Sequence, residues 1–316
     1  MRNQYNKLAQ KYGAKRVGRI TALTLAMIFA LAMYLLLAGG LFHSSLLYIF
    51  IPYCISVAIT AFRSYEKPTS LLKGYLGHLL TALTVVLGAM ILLGEGFVCI
   101  AFFVPIHIIV ITVTYIGYAI KERKGRGNKF GFIIPAVVLA ISMEGTSATL
   151  SFERLNHVDV FRTSSLTVSE IKANLAKPFD LDKKRHWLIS IFPMPYRIDA
   201  GSLKAGDVHT VYTRYHRWFI ANTHEGQSKF LIESVTPNRI NTKVISDTTY
   251  FSTYLSGTGT QIDLTPNADG GTDIRFRVKY RRNLDPAWYF QPLQKFAVGK
   301  MGELIINELM IREGSS

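Results

Sequence analysis

Two patterns of apolar and polar positions divide this chain near residue 150. Up to that point long apolar runs alternate with short basic connections, and beyond it short segments alternate apolar and polar residues. A bilayer-spanning helix needs about 20 apolar residues, because each adds about 1.5 Å towards about 30 Å of hydrocarbon. Residues 20–42, 46–62, 75–93 and 97–120 meet that requirement, the second barely. A fifth run is apolar only over 130–141 and continues through Ser142, Met143, Glu144 and small residues. We read it as a fifth crossing over 130–150, with a re-entrant or interfacial helix as the alternative. Residues 1–150 are thus expected to form a multi-pass α-helical membrane anchor.

Residues 151–316 read as a soluble α+β domain. Strands are predicted around Val158–Leu166, Asp207–Phe219, Lys229–Val235, Ile240–Ser246 and Thr253–Leu264, with turns at Gly226, Thr236-Pro237-Asn238 and 266–271. Ser169 is positioned to cap a short helix over 170–176 that Pro178 stops. Phe192-Pro193-Met194-Pro195 reads as a turn. The clearest strand is Thr272–Tyr280, where Ile274, Phe276, Val278 and Tyr280 alternate with Asp273, Arg275, Arg277 and Lys279. A period of two puts the apolar set on one face, so the sheet is covered on one side and wet on the other. The basic run Arg275, Arg277, Lys279, Arg281 and Arg282 is assigned to the wet face. Asp285 before Pro286 then has the form of a cap with proline at the first helical position. A long helix is expected from there to about Ile311, lying across the sheet.

Charge gives the apolar half an orientation. There are 14 Lys and Arg against 4 acids up to Leu150 and 22 against 17 after it, within a net charge of +15. The positive residues of the first half gather in the N-terminal tail, in the second connection (Arg63, Lys67, Lys73) and in the fourth (121–129), whereas the first and third connections carry none. The positive-inside rule makes those three segments cytoplasmic. With five crossings the C-terminal domain lies outside the cytoplasm and with four it stays inside; five are expected, in a protein of the cell's inner membrane. Loop charge beside apolar spans differs from the folded basic face that nucleic-acid binding requires, so no nucleic-acid partner is expected.

Motifs for covalent or redox chemistry are missing. The two cysteines, Cys54 and Cys99, both lie in apolar runs, and Gly-x-Ser-x-Gly, His-Glu-x-x-His and Cys-x-x-Cys patterns do not occur. No cofactor and no metal is expected. His78 and His107 fall within apolar runs, where an ionisable group is a functional candidate; a neutral imidazole bonded within the helix bundle accounts for each equally.

The order of elements in 151–316 resembles the START-like, helix-grip proteins of the polyketide cyclase/dehydrase and lipid-transport superfamily. The likeness is carried by Leu166–Pro178, by Thr236-Pro237-Asn238-Arg239, and by the Pro266-to-Thr272 turn with Gly270-Gly271 entering the last strand. Glu95-Gly96-Phe97-Val98-Cys99 with Pro105 is similar to the anchor of membrane-tethered members. The resemblance implies an antiparallel sheet wrapped on a long C-terminal helix, with a hydrophobic cavity between them for a lipid or other apolar small molecule. Aromatic side chains are dense here, and each either fills a core or lines such a cavity. Candidate ligand-binding residues are Trp187, Tyr212, Arg214, His216, Trp218, Tyr254, Phe276, Tyr280 and Trp288. Arg214 and His216, on the parity of Tyr212 and Trp218, are placed to meet a polar headgroup. Membrane-tethered binding of a hydrophobic molecule is the leading expectation. A cyclase- or dehydratase-like enzyme, or a ligand-sensing scaffold, is the alternative.

Overall fold

The structure is a computed structural model that describes residues 34, 38–62, 70–92, 97–124, 130–180, 194–218 and 221–310. Two compact units are present, Met1–Glu95 with Cys99–Phe152, and Glu153–Ser316 with Gly96–Val98.

In the first unit a π-helical turn, Leu46–Phe50, leads into α1 (Ile51–Phe62), followed by α2 (Leu71–Leu92), α3 (Phe97–Lys124) and α4 (Phe130–Ser142). Among the described residues two helices are long and apolar enough to cross a bilayer, at Leu71–Gly88 in α2 and Ile100–Gly117 in α3. The apolar helix Leu46–Ile59 is shorter. The expected crossing at 20–42 lies almost wholly outside the described residues. The expected crossing at 130–150 is corrected: α4 has 13 residues, about 20 Å of rise. It ends in a turn at Met143–Gly145, where Gly145 adopts φ 84°. That left-handed conformation suits glycine and stops the helix.

Several polar side chains within this unit are bonded between or within its helices. Ser56 Oγ lies 2.7 Å from His78 Nε2, joining α1 to α2, and the hydroxyls of Tyr75 and Thr112 are 2.8 Å apart across α2 and α3. His107 Nδ1 lies 2.6 Å from the Phe103 carbonyl oxygen. Thr114 and Ser142 donate to carbonyls four residues back, a habit that satisfies a hydroxyl inside a helix.

The second unit begins with β1 (Leu155–Ser164) and α5 (Val168–Leu175), then β2 (Phe179–Asp180), β3 (Met194–Asp199), β4 (Val208–Trp218), β5 (Ala221–Val235) and β6 (Arg239–Asp247). A 3-10 turn (Tyr250–Thr253), β7 (Leu255–Pro266), β8 (Thr272–Arg282) and α6 (Ala287–Ile305) follow, and α6 runs on into a π-helical turn at Ile306–Met310. The strands form one antiparallel sheet in the order β1-β8-β7-β6-β5-β4-β3-β2, so the first strand pairs with the last. A curled antiparallel sheet with a C-terminal helix against it fits the helix-grip arrangement.

The alternation of β8 holds: Thr272, Ile274, Phe276 and Tyr280 are buried while Asp273, Lys279 and Arg281 are exposed. Ile274 and Phe276 join Val160, Ile232, Ile240, Ile262 and Leu264 in a core that Ile306 and Met310 close from the helical side. Three local expectations are corrected. The α5 cap is Thr167 rather than Ser169, because Thr167 and Glu170 form a reciprocal capping box. Residues 194 and 195 belong to β3 instead of a turn, with Pro195 next to a register shift that accommodates its missing N–H. Finally, α6 is capped by Pro286, and the Asp285 carboxylate is engaged elsewhere.

Candidate functional site

One stripe of α6 is buried: Ala287, Phe290, Gln294, Val298 and Gly302. The spacing is that of a single helix face, and glutamine is its one polar side chain. At the far end Gly302 allows close approach, since a Cβ there would lie 2.9 Å from Val160 Cγ2 and 3.7 Å from Phe276 Cδ1. Near the start, Gln291 Nε2 donates to Asn156 Oδ1 at 2.7 Å, and Asn156 is the register partner of Tyr280. Gln294 Nε2 donates to the Tyr254 carbonyl at 3.1 Å. Tyr254 precedes β7, whose Leu255 and Gly257 pair with Arg282 and Tyr280.

The helix therefore bonds to elements on either side of β8 and crosses that strand at Tyr280–Arg282. Lengths agree with this crossing. Eight helical residues from Gly302 back to Gln294 rise about 12 Å, and four strand residues from Phe276 to Tyr280 span about 13 Å. Gln294 thus lies at about the level of Tyr280 along β8. Tyr280 is fully buried, and its phenol is pushed up to about 12 by burial, against a smaller opposing effect from Arg282. Tyr280 OH and Gln294 Oε1 are both buried and have no hydrogen-bond partner among the described residues.

Beside this point the interior is aromatic. Tyr215 is buried and stacks on Tyr250, centroids 4.8 Å apart. Tyr250 meets Tyr254 edge-on at 5.6 Å, their hydroxyls 3.3 Å apart, and lies 5.6 Å from His224, the register partner of Tyr215. Beneath the start of α6 the Arg282 guanidinium donates to the Asp285 carboxylate and the Leu284 carbonyl, and Arg154 donates to the other Asp285 oxygen. Arg282 and Asp285 are wholly buried, which corrects the assignment of Arg282 to the wet face. Its position has core parity on β8, and an ion pair makes its burial tolerable.

The expected ligand-binding residues do not form one group. Phe276 and Tyr280 are on the core face beneath α6, and Tyr254 adjoins them through its carbonyl. On β4 the face that packs on the core carries Val211 and Tyr215. Tyr212 and Arg214 have the other parity and lie on the opposite face. Tyr212 hydrogen-bonds Asp199, which raises its phenol pKa; Arg214 is paired with Glu225 at 2.9 Å and stands 4.5 Å above the Tyr196 ring. His216 and Trp218 continue β4 in register with Thr223 and Ala221. Trp288 is 53% exposed on the outer side of α6. Trp187 lies outside the described residues. Gln294 escaped the sequence reading, although a lone polar residue on a buried helical stripe was its signal. Among the described residues no group of three or more His, Cys, Asp or Glu could hold a metal ion.

The wet face holds a cleft of about 1040 Å³ whose lining includes Phe161, Arg239, Asp263, Asp273 and Arg275. Among its charges Arg239 pairs with Asp263 and Arg275 with Asp159, and Asp273 accepts from the Thr163 hydroxyl. Arg277 and Arg275 together hold the Asp159 carboxyl well below the usual carboxylate range, Arg277 contributing most.

No family model matches the chain, and no curated protein matches it either. Similar solved structures include a Mycobacterium smegmatis protein at 15% identity and TM-score 0.34, covering 51% of this chain and 91% of that one. A START superfamily protein from the same organism has 10% identity and TM-score 0.31, covering 49% and 94%. The Zhui aromatase/cyclase from a Streptomyces species has 11% identity and TM-score 0.28, covering 48% and 96%.

Proposed function

We propose that the chain is a membrane-anchored binding protein for a lipid or other apolar small molecule, held between the sheet and α6. The observation that carries this reading is the change in character along the α6 seam. At Gly302 the helix meets Val160 and Phe276, so closely that a Cβ there would lie 2.9 Å from Val160 Cγ2. Towards Phe290 and Gln294 polar groups enter the seam: Gln294 bonds the Tyr254 carbonyl, Tyr254 leads through Tyr250 to Tyr215, and Tyr280 is fully buried. Small-molecule sites are mostly apolar with a few convergent polar groups, and this end of the seam has that composition.

A tether suits such a ligand, because its source phase is the bilayer. The apolar helices α2 and α3 support membrane anchoring, and the basic connections favour a cytoplasmic N-terminus. A cyclase- or dehydratase-like reaction would need an acid–base pair in the same interior, and Arg214, one residue expected to serve it, is exposed and bound to Glu225. The test is mass spectrometry of organic extracts from the purified full-length protein, with an unrelated membrane protein prepared alongside. One molecular class retained reproducibly by this chain and not by the control is the expected result. Extracts identical to the control would overturn the reading.

A further inference from the structure

We propose that the ligand of this interior carries a neutral hydroxyl group, bound jointly by Tyr280 and Gln294. The inference rests on the binding-protein reading above and adds the chemical class of the ligand's polar end. Its basis is a pair of buried polar atoms without protein partners on facing elements. Tyr280 OH rises from the core face of β8, and Gln294 Oε1 comes down from the buried stripe of α6.

The amide orientation of Gln294 is fixed by its other bond. The Tyr254 carbonyl can only accept, so the atom facing it must be the NH2 group, and the oxygen is the one left over. Nearly all buried polar atoms in folded proteins are hydrogen-bonded. Two unpartnered ones, one on the helix and one on the strand it packs against, mark a place where a third group belongs.

The two atoms differ in what they ask of that group. Gln294 Oε1 accepts and has no proton to give. Tyr280 is held in its protonated form, so it donates. A hydroxyl answers both at once, giving its proton to Gln294 and taking one from Tyr280. A carboxylate accepts from Tyr280 but meets the lone pairs of Gln294 Oε1, and the buried cation nearby, Arg282, is already balanced by Asp285. An ether or ester oxygen accepts from Tyr280 and leaves Gln294 unanswered. The site therefore favours an apolar alcohol over the matching acid or ether.

The experiment uses the full-length chain in amphipol, with empty amphipol as the baseline. Displacement of bound N-phenyl-1-naphthylamine is measured with three probes of one chain length: dodecan-1-ol, 1-methoxydodecane and dodecanoate. Dodecan-1-ol is expected to displace the dye at about tenfold lower concentration than either of the others, the worth of about one buried hydrogen bond. Gln294→Leu is expected to erase the advantage over 1-methoxydodecane, and Tyr280→Phe to weaken dodecan-1-ol and 1-methoxydodecane alike. Tyr280→Phe should also keep or raise the unfolding temperature without ligand, since it removes an unpartnered hydroxyl. Equal displacement by all three probes, or an alcohol-over-ether preference that survives Gln294→Leu, overturns the hydroxyl inference and leaves the binding reading standing. A dye that binds no better than to empty amphipol, with no probe effect, overturns both.

Discussion

Replacing Asp285 by Asn tests the buried charge group at the foot of α6. Asp285 and Arg282 are fully buried and Arg154 is 24% exposed. Asp285→Asn keeps the shape and removes the charge that both guanidiniums share. Arg154 can recover through solvent, whereas Arg282 loses inside the domain the carboxylate it donates to. Breaking one partner of a buried pair costs about 3–5 kcal/mol. For a domain of this size each kcal/mol shifts the midpoint by about 2–4 °C, so the expected fall is about 6–20 °C. The assay is thermal unfolding of the full-length protein in detergent, followed by β-sheet ellipticity. The double variant Arg282→Met with Asp285→Leu removes both charges together and should recover to within about 1 kcal/mol of the starting protein. A single variant that melts within about 2 °C of the original, or a double variant worse than the single, refutes the argument.

Three further outcomes follow from the geometry. The folded-state pKa of Asp159 is depressed by Arg277 and Arg275, so its stabilising contribution is complete above the ordinary carboxylate value of about 3.9 and is lost as pH falls below it; Asp159→Asn should flatten the acid limb of a stability–pH curve, and an unchanged limb counts against the pairing. Gly302→Leu forces side-chain atoms into the space held by Val160 Cγ2 and should lower stability by about 1–3 kcal/mol in the same melt. Trp288→Ala removes a side chain that is 53% exposed and should change stability by less than about 0.5 kcal/mol, with apolar-dye binding intact; lost binding would place Trp288 in the site after all.

What the residues foretold and what they concealed separate along physical lines. The core face of β8 was legible because four apolar residues at period two have only one way to be buried together. Arg282 has the same parity, but a charge at the end of such a run reads as solvated until Asp285 and Arg154 are seen to meet it. Asp285 before Pro286 looks like a cap for the same reason: local spacing knows nothing of a guanidinium contributed 131 residues away. Tyr212 and Arg214 were placed on the wrong face of β4. Aromatic residues stand on both parities there, and Val211 and Tyr215 take the core side by packing with distant strands. The short β2 and the proline-bearing β3 carry too little pattern to announce a strand. Gln294 was overlooked as one glutamine in a helix, and its meaning depends on its bond to the Tyr254 carbonyl and on Tyr280 at its level of β8.

The pairing of β1 with β8 also governs how the domain is born. Leu155 pairs with Arg281 and Ser164 with Thr272, so the first strand made finds its neighbour only when the last strand exists. At about 5–20 residues per second the interval between synthesis of Arg154 and Asp285, 131 residues apart, is roughly 7–25 s. Through that time β1 has an open edge and an apolar face, the condition under which strands pair with the wrong partner. Its outward-facing His157 and Asp159, with Arg162 further along, place charged or polar side chains on the waiting strand. A stop codon before β8 would release a chain whose first strand has no neighbour in its sheet, so such truncations should aggregate or be degraded instead of surviving as smaller folded domains.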